Sequence, residues 1–156
     1  MIQRIQSLFL LGAAVCFGLA CFVPIGTFWG AEMPYVYTSW VVKQDIVNGI
    51  GYQTYYIGLL QLVLAVMSFA AIFFYKNRPL QSKICTAAIV ISFIMLVLML
   101  WIYPGRIFPQ VFQIQGIEPQ YTVGAFISLA PVVLLYLANK FILRDEKKVR
   151  AADRLR

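Results

Sequence analysis

"ICTAAIVISFIMLVLMLWIYPG", residues 84–105, runs without a charge between Lys83 and Arg106. A helix that crosses the roughly 30 Å hydrocarbon core of a bilayer needs about 20 apolar residues. Inside lipid the backbone N–H and C=O groups must bond within their own segment, so a run of this kind folds as a helix. Three more uncharged runs accompany it, at 5–31, 46–75 and 119–139. Trimmed by hydrophobicity, the four predict spanning helices near 7–27, 55–75, 84–103 and 122–141. The expected fold is an all-α membrane protein, a four-helix transmembrane bundle forming one domain over 1–156.

Composition supports lipid as the solvent. The chain has 156 residues, 62% hydrophobic and 12% charged, with a mean hydropathy of +0.80. Soluble domains carry about 25% charged residues, so this chain has too little charge to cover a globule. The first run also holds "GLAC" at 18–21, a hint of a lipoprotein cleavage site. Apolar residues continue through Phe22 and Val23, and Gly18 stands where such a site has Leu. The run is therefore expected to stay in place as a span.

Charge sets the expected orientation. Arg4, Lys76, Arg78, Lys83, Lys140 and the six basic residues of 144–156 fall on one side of the four runs. Only Lys43 and Arg106 fall on the other. The positive-inside rule then puts both termini in the cytoplasm. The two loops on the far side are expected to form a small outward sheet. "PYVYTSWVV" at 34–42 favours a strand, Asn48–Gly49 is a hairpin turn signal, and "IGYQTYY" follows at 50–56. Alternation at Val111, Gln113 and Gln115 suggests a further strand from the second loop. The outline is similar to that of claudin-like tetraspan proteins. Their outer-loop tryptophan and paired-cysteine signature is missing, and no function carries over.

Little in the chain points to chemistry. There is no histidine, the commonest general acid–base group. Cys16 and Cys21 are about 140° apart on an ideal helix and cannot pair. They also lack the Cys-x-x-Cys of the vitamin K epoxide reductase family. Glu32, Asp45 and Glu118 are the outward carboxylates, with no nucleophile or metal-ligand cluster beside them. No enzyme activity, metal or cofactor is expected. Gln61 and Ser68 share a helix face, and Thr86, Ser92, Ser128 and Asn139 lie in or near other spans. These are read as interhelical hydrogen-bonding groups rather than a substrate track. Ala14/Gly18 and Gly124/Ser128 have the spacing for close internal helix packing, with homo-oligomerisation as the alternative. Pro131 should kink the fourth helix near Ile127.

"RDEKKVRAADRLR", 144–156, is expected to continue the fourth span as a basic helix, with Lys147, Arg150 and Arg154 in one stripe. It can hold the topology, meet anionic headgroups, or dock a partner. Its acids Asp145, Glu146 and Asp153 favour a protein interface that uses both signs.

"MIQRIQSLFLL" at the start and "DEKKVRAADRLR" at the end resemble a bacterial family of small four-span inner-membrane proteins classed as a domain of unknown function. The resemblance covers the whole length and is most specific at 1–6 and 149–156. It implies a bacterial inner membrane with the outer loops in the periplasm, and it implies no activity. The expected function is a non-enzymatic accessory or scaffold subunit of a larger envelope or protein-export complex. The alternative is a small oligomeric transporter or lipid-handling protein. Expected partners are membrane lipids and other membrane-complex proteins, with no specific nucleic acid. The candidate partner-binding residues are Arg150, Arg154 and Arg156 inside, with Tyr37 and Trp40 outside.

Overall fold

The computed structural model describes residues 2–29, 34–44, 51–113 and 117–153. Helix α1 (Ile2–Ala20) leads into strands β1 (Gly26–Trp29), β2 (Pro34–Tyr37), β3 (Val41–Gln44) and β4 (Tyr52–Gln53). Helix α2 (Tyr55–Phe73) follows, then a short 3-10 turn at Phe74–Lys76. Helix α3 (Arg78–Val97) runs on without a break into a π-helical segment, Leu98–Ile107, and helix α4 (Phe108–Phe112). Strand β5 (Gln120–Tyr121) precedes α5 (Val123–Asp153). The molecule is mostly helical with one small antiparallel sheet.

The helices pack in a ring: α1 lies on α2 and α5, and α3 lies on α2 and α5. Chain order makes them run up and down. The C-terminal ends of α1 and of the third helix meet the N-terminal ends of α2 and α5 under the sheet. At the opposite end Asn77 caps α3 by accepting from the Leu80 N–H, with Pro79 in the first turn, an ordinary helix start. Leu10, Phe17, Leu64, Cys85, Met95, Leu135 and Ile142 are buried in the shared core.

Three helices are long and apolar enough to cross a membrane: Tyr55–Phe73, Arg78–Phe112 and Val123–Val149. Ile5–Ala20 is a shorter apolar helix. The first predicted span therefore shrinks. Pro24 lacks an N–H and disfavours helix in the residue before it. The chain turns there, and the Ile25 N–H donates to the Tyr37 carbonyl at 2.8 Å to open the sheet. The uncharged stretch to Trp29 is a half-buried strand rather than more helix.

The strand order is β4-β3-β2-β1-β5. The expected hairpin is present as β3 with β4; its turn, including Asn48 and Gly49, lies outside the described residues. "PYVYTSWVV" is not one strand but two, because Thr38 closes a turn in which its hydroxyl donates to the Val41 carbonyl at 2.6 Å. The second loop contributes Gln120–Tyr121, paired with Gly26 and Thr27. Val111 instead sits in helix α4, which has Pro109 in its first turn and ends with Gln113 at a positive φ of 55°. Residues 114–116 lie outside the described residues.

Of the two small-residue pairs, one packs as expected. A Cβ on Gly124 would lie 2.3 Å from the Pro24 carbonyl oxygen, so only glycine lets α5 start there. A Cβ on Gly18 would meet nothing within 4 Å, so the Ala14/Gly18 face is not a close contact of the bundle. Pro131 lies inside α5, which continues helical on both sides of it.

Candidate functional site

The sheet is fixed to the bundle by its own side chains. Its register puts Gly26, Tyr37, Val42 and Tyr52 in one cross-strand row, with Phe28 and Tyr35 in another on the same face. Gly26, Phe28, Tyr37 and Val42 are buried, so this face meets the helices. Phe108, fully buried, is the hub beneath it. Its ring stacks on Phe28 at 5.3 Å and meets Tyr37 edge-on at 4.9 Å and Tyr103 at 5.8 Å. Phe112 adds contacts to Phe28 and Tyr35. Such aromatic pairs contribute about 0.5–1.5 kcal/mol each beyond their area.

Proline decides where the sheet grips. Pro104 has no N–H. In α-helical spacing that leaves the Leu100 carbonyl without its donor; in π spacing it leaves the Met99 carbonyl. Both carbonyls are met from the sheet. The Tyr37 hydroxyl of β2 donates to Met99 O at 3.4 Å, and the Tyr121 hydroxyl of β5 donates to Leu100 O. The helix thus passes through a proline because two tyrosines replace one missing amide. Burial, reinforced by Tyr103 and Tyr121, pushes the Tyr37 hydroxyl well above the usual tyrosine range. It is held as a neutral donor.

A second junction forms where β2 turns into β3. Ser39, fully buried, donates to Gln61 Oε1 at 2.8 Å and lies 3.1 Å from the Ala20 carbonyl, and Gln61 Nε2 donates to Ser128 Oγ at 3.3 Å. One amide in α2 thereby ties the sheet, the end of α1 and α5 together. Trp40 Nε1–H donates to the Cys21 carbonyl at 2.8 Å. Its ring lies where a Cβ on Gly58 would come within 2.7 Å. Trp40 therefore satisfies a carbonyl just past the C-terminal end of α1, which a helix end otherwise leaves bare. At the other end of the bundle Ser82 Oγ donates to Asn139 Oδ1 at 2.8 Å, and Asn139 Nδ2 donates to Thr86 Oγ1 at 3.2 Å. Among the described residues no buried side-chain N or O lacks a partner. Gln61, Ser128, Asn139 and Thr86 bond between helices as expected, whereas Ser68 and Ser92 donate back to the Leu64 and Ile89 carbonyls of their own helices.

The candidate partner-binding residues do not come together in one site. Tyr37 is 1% exposed and sits beneath the sheet, so it is a docking residue of the fold and presents no outward surface. Trp40 is 39% exposed, with its indole N–H already engaged. The sheet's far face includes Thr27, Trp29, Val36, Lys43, Gln53 and Gln120, of which Trp29 is 65% exposed. Arg150 lies on α5, which stays helical to Asp153; Arg154 and Arg156 fall outside the described residues. Glu32 and Asp45 also fall outside them, and Glu118 is exposed. Asp145 has an internal role. Its carboxylate accepts from Gln6 Nε2 of α1 at 2.6 Å, and its carbonyl accepts from Arg78 at 3.4 Å.

The sequence gives little warning of the Phe108 hub or the Ser39 junction. Pro104 and Pro109 are the one available signal, since a proline inside an apolar run marks carbonyls that need another donor.

Fold and site together define a membrane-type helical bundle with a small antiparallel sheet locked onto one end. The chain matches the family described as "Domain of unknown function (DUF4293)" over residues 2–155, and it belongs to that family. No curated protein matches it.

Proposed function

We propose that this protein is a non-catalytic, four-span subunit of the bacterial inner membrane, with both termini in the cytoplasm, that scaffolds a larger envelope complex. The observation that carries this reading is the sheet. Five short strands are held to the bundle by hydroxyl caps and an aromatic hub, which leaves their far face rigid and presented. A two-stranded hairpin alone is marginal in water; a docked sheet is a stable surface for a partner. Trp29, Val36 and Lys43 on that face replace Tyr37 as the residues to test outside. Trp40 remains at the rim.

The fourth span is argued from packing. Helix α1 has 19 residues, about 28 Å at 1.5 Å per residue. It lies alongside α2 and α5, so the slab of lipid that holds them holds α1 as well. The basic residues gather at the end away from the sheet, which puts that end in the cytoplasm.

The test is recovery of the full chain from its native membrane in mild detergent, with co-purifying proteins identified by mass spectrometry. Arg150→Glu with Arg154→Glu on the tail, and Trp29→Ala on the sheet, should each reduce a stoichiometric partner without lowering insertion. Partner recovery unchanged in both would refute the scaffold role.

One observation favours a second reading, lipid handling. Helix α2 does not pack closely on the π segment. A groove of about 420 Å³ opens between them, lined by Tyr56, Leu59, Val63, Leu98 and Tyr103. Gln61 does not line it, being held by Ser39 and Ser128.

A further inference from the structure

A different groove combines charge, hydroxyls and apolar wall in one line. It measures about 520 Å³ and follows α3 from Ser82, Lys83 and Thr86 to Ala87, Val90 and Ile91. Its polar end sits beside the Ser82–Asn139–Thr86 hydrogen bonds that join α3 to α5. Lys83 lines the groove, and Lys140 directly follows Asn139, one residue from that junction on α5. Both are exposed. Down the groove the wall turns purely apolar.

We infer that this groove along α3, beside its junction with α5, holds one anionic phospholipid, with its phosphate at Lys83, in reach of Lys140, and an acyl chain along Ala87, Val90 and Ile91. The argument is complementarity. An anionic lipid has a charge, a polar neck and an apolar tail in the same order as the groove. Basic pockets between membrane helices select such headgroups. A zwitterionic lipid brings its own cation to the two lysines and loses that advantage. A free phosphate would use the lysines and ignore the apolar wall. The inference rests on the helices lying in a membrane and is independent of any protein partner.

The experiment is native mass spectrometry of the purified full-length chain, titrated with phosphatidylglycerol or with phosphatidylcholine of the same acyl chains. One phosphatidylglycerol per chain should persist under activation that strips phosphatidylcholine. Lys83→Gln with Lys140→Gln should weaken phosphatidylglycerol by about thirtyfold, about fivefold per charge, and leave phosphatidylcholine unchanged. Ala87→Trp, a change at an exposed position that fills the groove, should remove the retained lipid. Circular dichroism and thermal melting confirm that the variants remain folded. Equal retention of the two lipids, an unaffected lysine double variant, or full retention in Ala87→Trp would each overturn the inference. So would finding a second copy of the chain in place of lipid.

Discussion

Replacing Tyr37 by Phe removes one oxygen from beneath the sheet and leaves the ring packed on Phe108. The hydroxyl it deletes sits 3.4 Å from the Met99 carbonyl, a long O–H···O contact that is weak as a bond. The larger effect is on the carbonyl. Met99 is fully buried, and an unmet buried acceptor costs about 1–3 kcal/mol. The expected loss is about 1–2 kcal/mol. Tyr121 is 40% exposed, so water can reach Leu100 O after Tyr121→Phe, and that loss should stay below about 1 kcal/mol. The decisive comparison is in a Pro104→Ala background. The restored amide can donate to Met99 O or Leu100 O, but not to both. Tyr37→Phe should then cost under about 0.5 kcal/mol, a coupling of roughly 1 kcal/mol between residues 37 and 104. Losing both tyrosines there should add only the Tyr121 share, below about 1 kcal/mol, because the amide serves Met99 O and water reaches Leu100 O. The assay is reversible unfolding in mixed micelles, followed by tryptophan fluorescence. An equal cost of Tyr37→Phe in the two backgrounds would refute the capping argument.

Two further outcomes follow from the packing. Phe108→Ala empties the aromatic hub and should destabilise by about 3–5 kcal/mol; proteolysis within 34–53 should rise with it, and a protected sheet would show that Phe108 does not hold it. Gly124→Ala drives a Cβ toward the Pro24 carbonyl and should cost at least about 1–3 kcal/mol. Gly18→Ala meets open space and should be neutral or stabilising by up to about 1 kcal/mol. Thermal melts of the pair check this, and equal shifts would contradict the assigned contact.

Much of the helical frame is legible from hydrophobic runs bounded by charge. Residues 55–75, 84–103 and 122–141 each fall on a long helix, and the basic tail continues the last one to Asp153. Gln61 and Ser128 are also legible, since a polar group in an apolar span must find a partner. The first span is less so. Hydropathy does not separate a strand from a helix, and Ile25–Trp29 carries no charge to set it apart from the helix before it. Pro24 carries the only local sign of the break. Proline misleads at the other end, where Pro104–Gly105 reads as a helix stop. The chain stays helical there because Tyr37 and Tyr121, distant in sequence, supply the missing donors. Tyr37 looks like an outward loop aromatic for the same reason: its partner lies 62 residues away.

The tail needs to be divided before its role can be tested. Acids among its basic residues favour a protein interface only if they have no work within the chain. Asp145 has such work, since it is bonded to Gln6 of α1 and its carbonyl to Arg78. Glu146 is also engaged within the chain. Asp145 therefore belongs to the bundle, and changing it would loosen α1 and α5 as well as any partner. Arg150 and Arg154 lie four and eight residues past Glu146 in sequence. A loss of partner there, with the Gln6–Asp145 contact intact, would speak for docking. A loss seen only with Asp145→Asn would speak for the bundle.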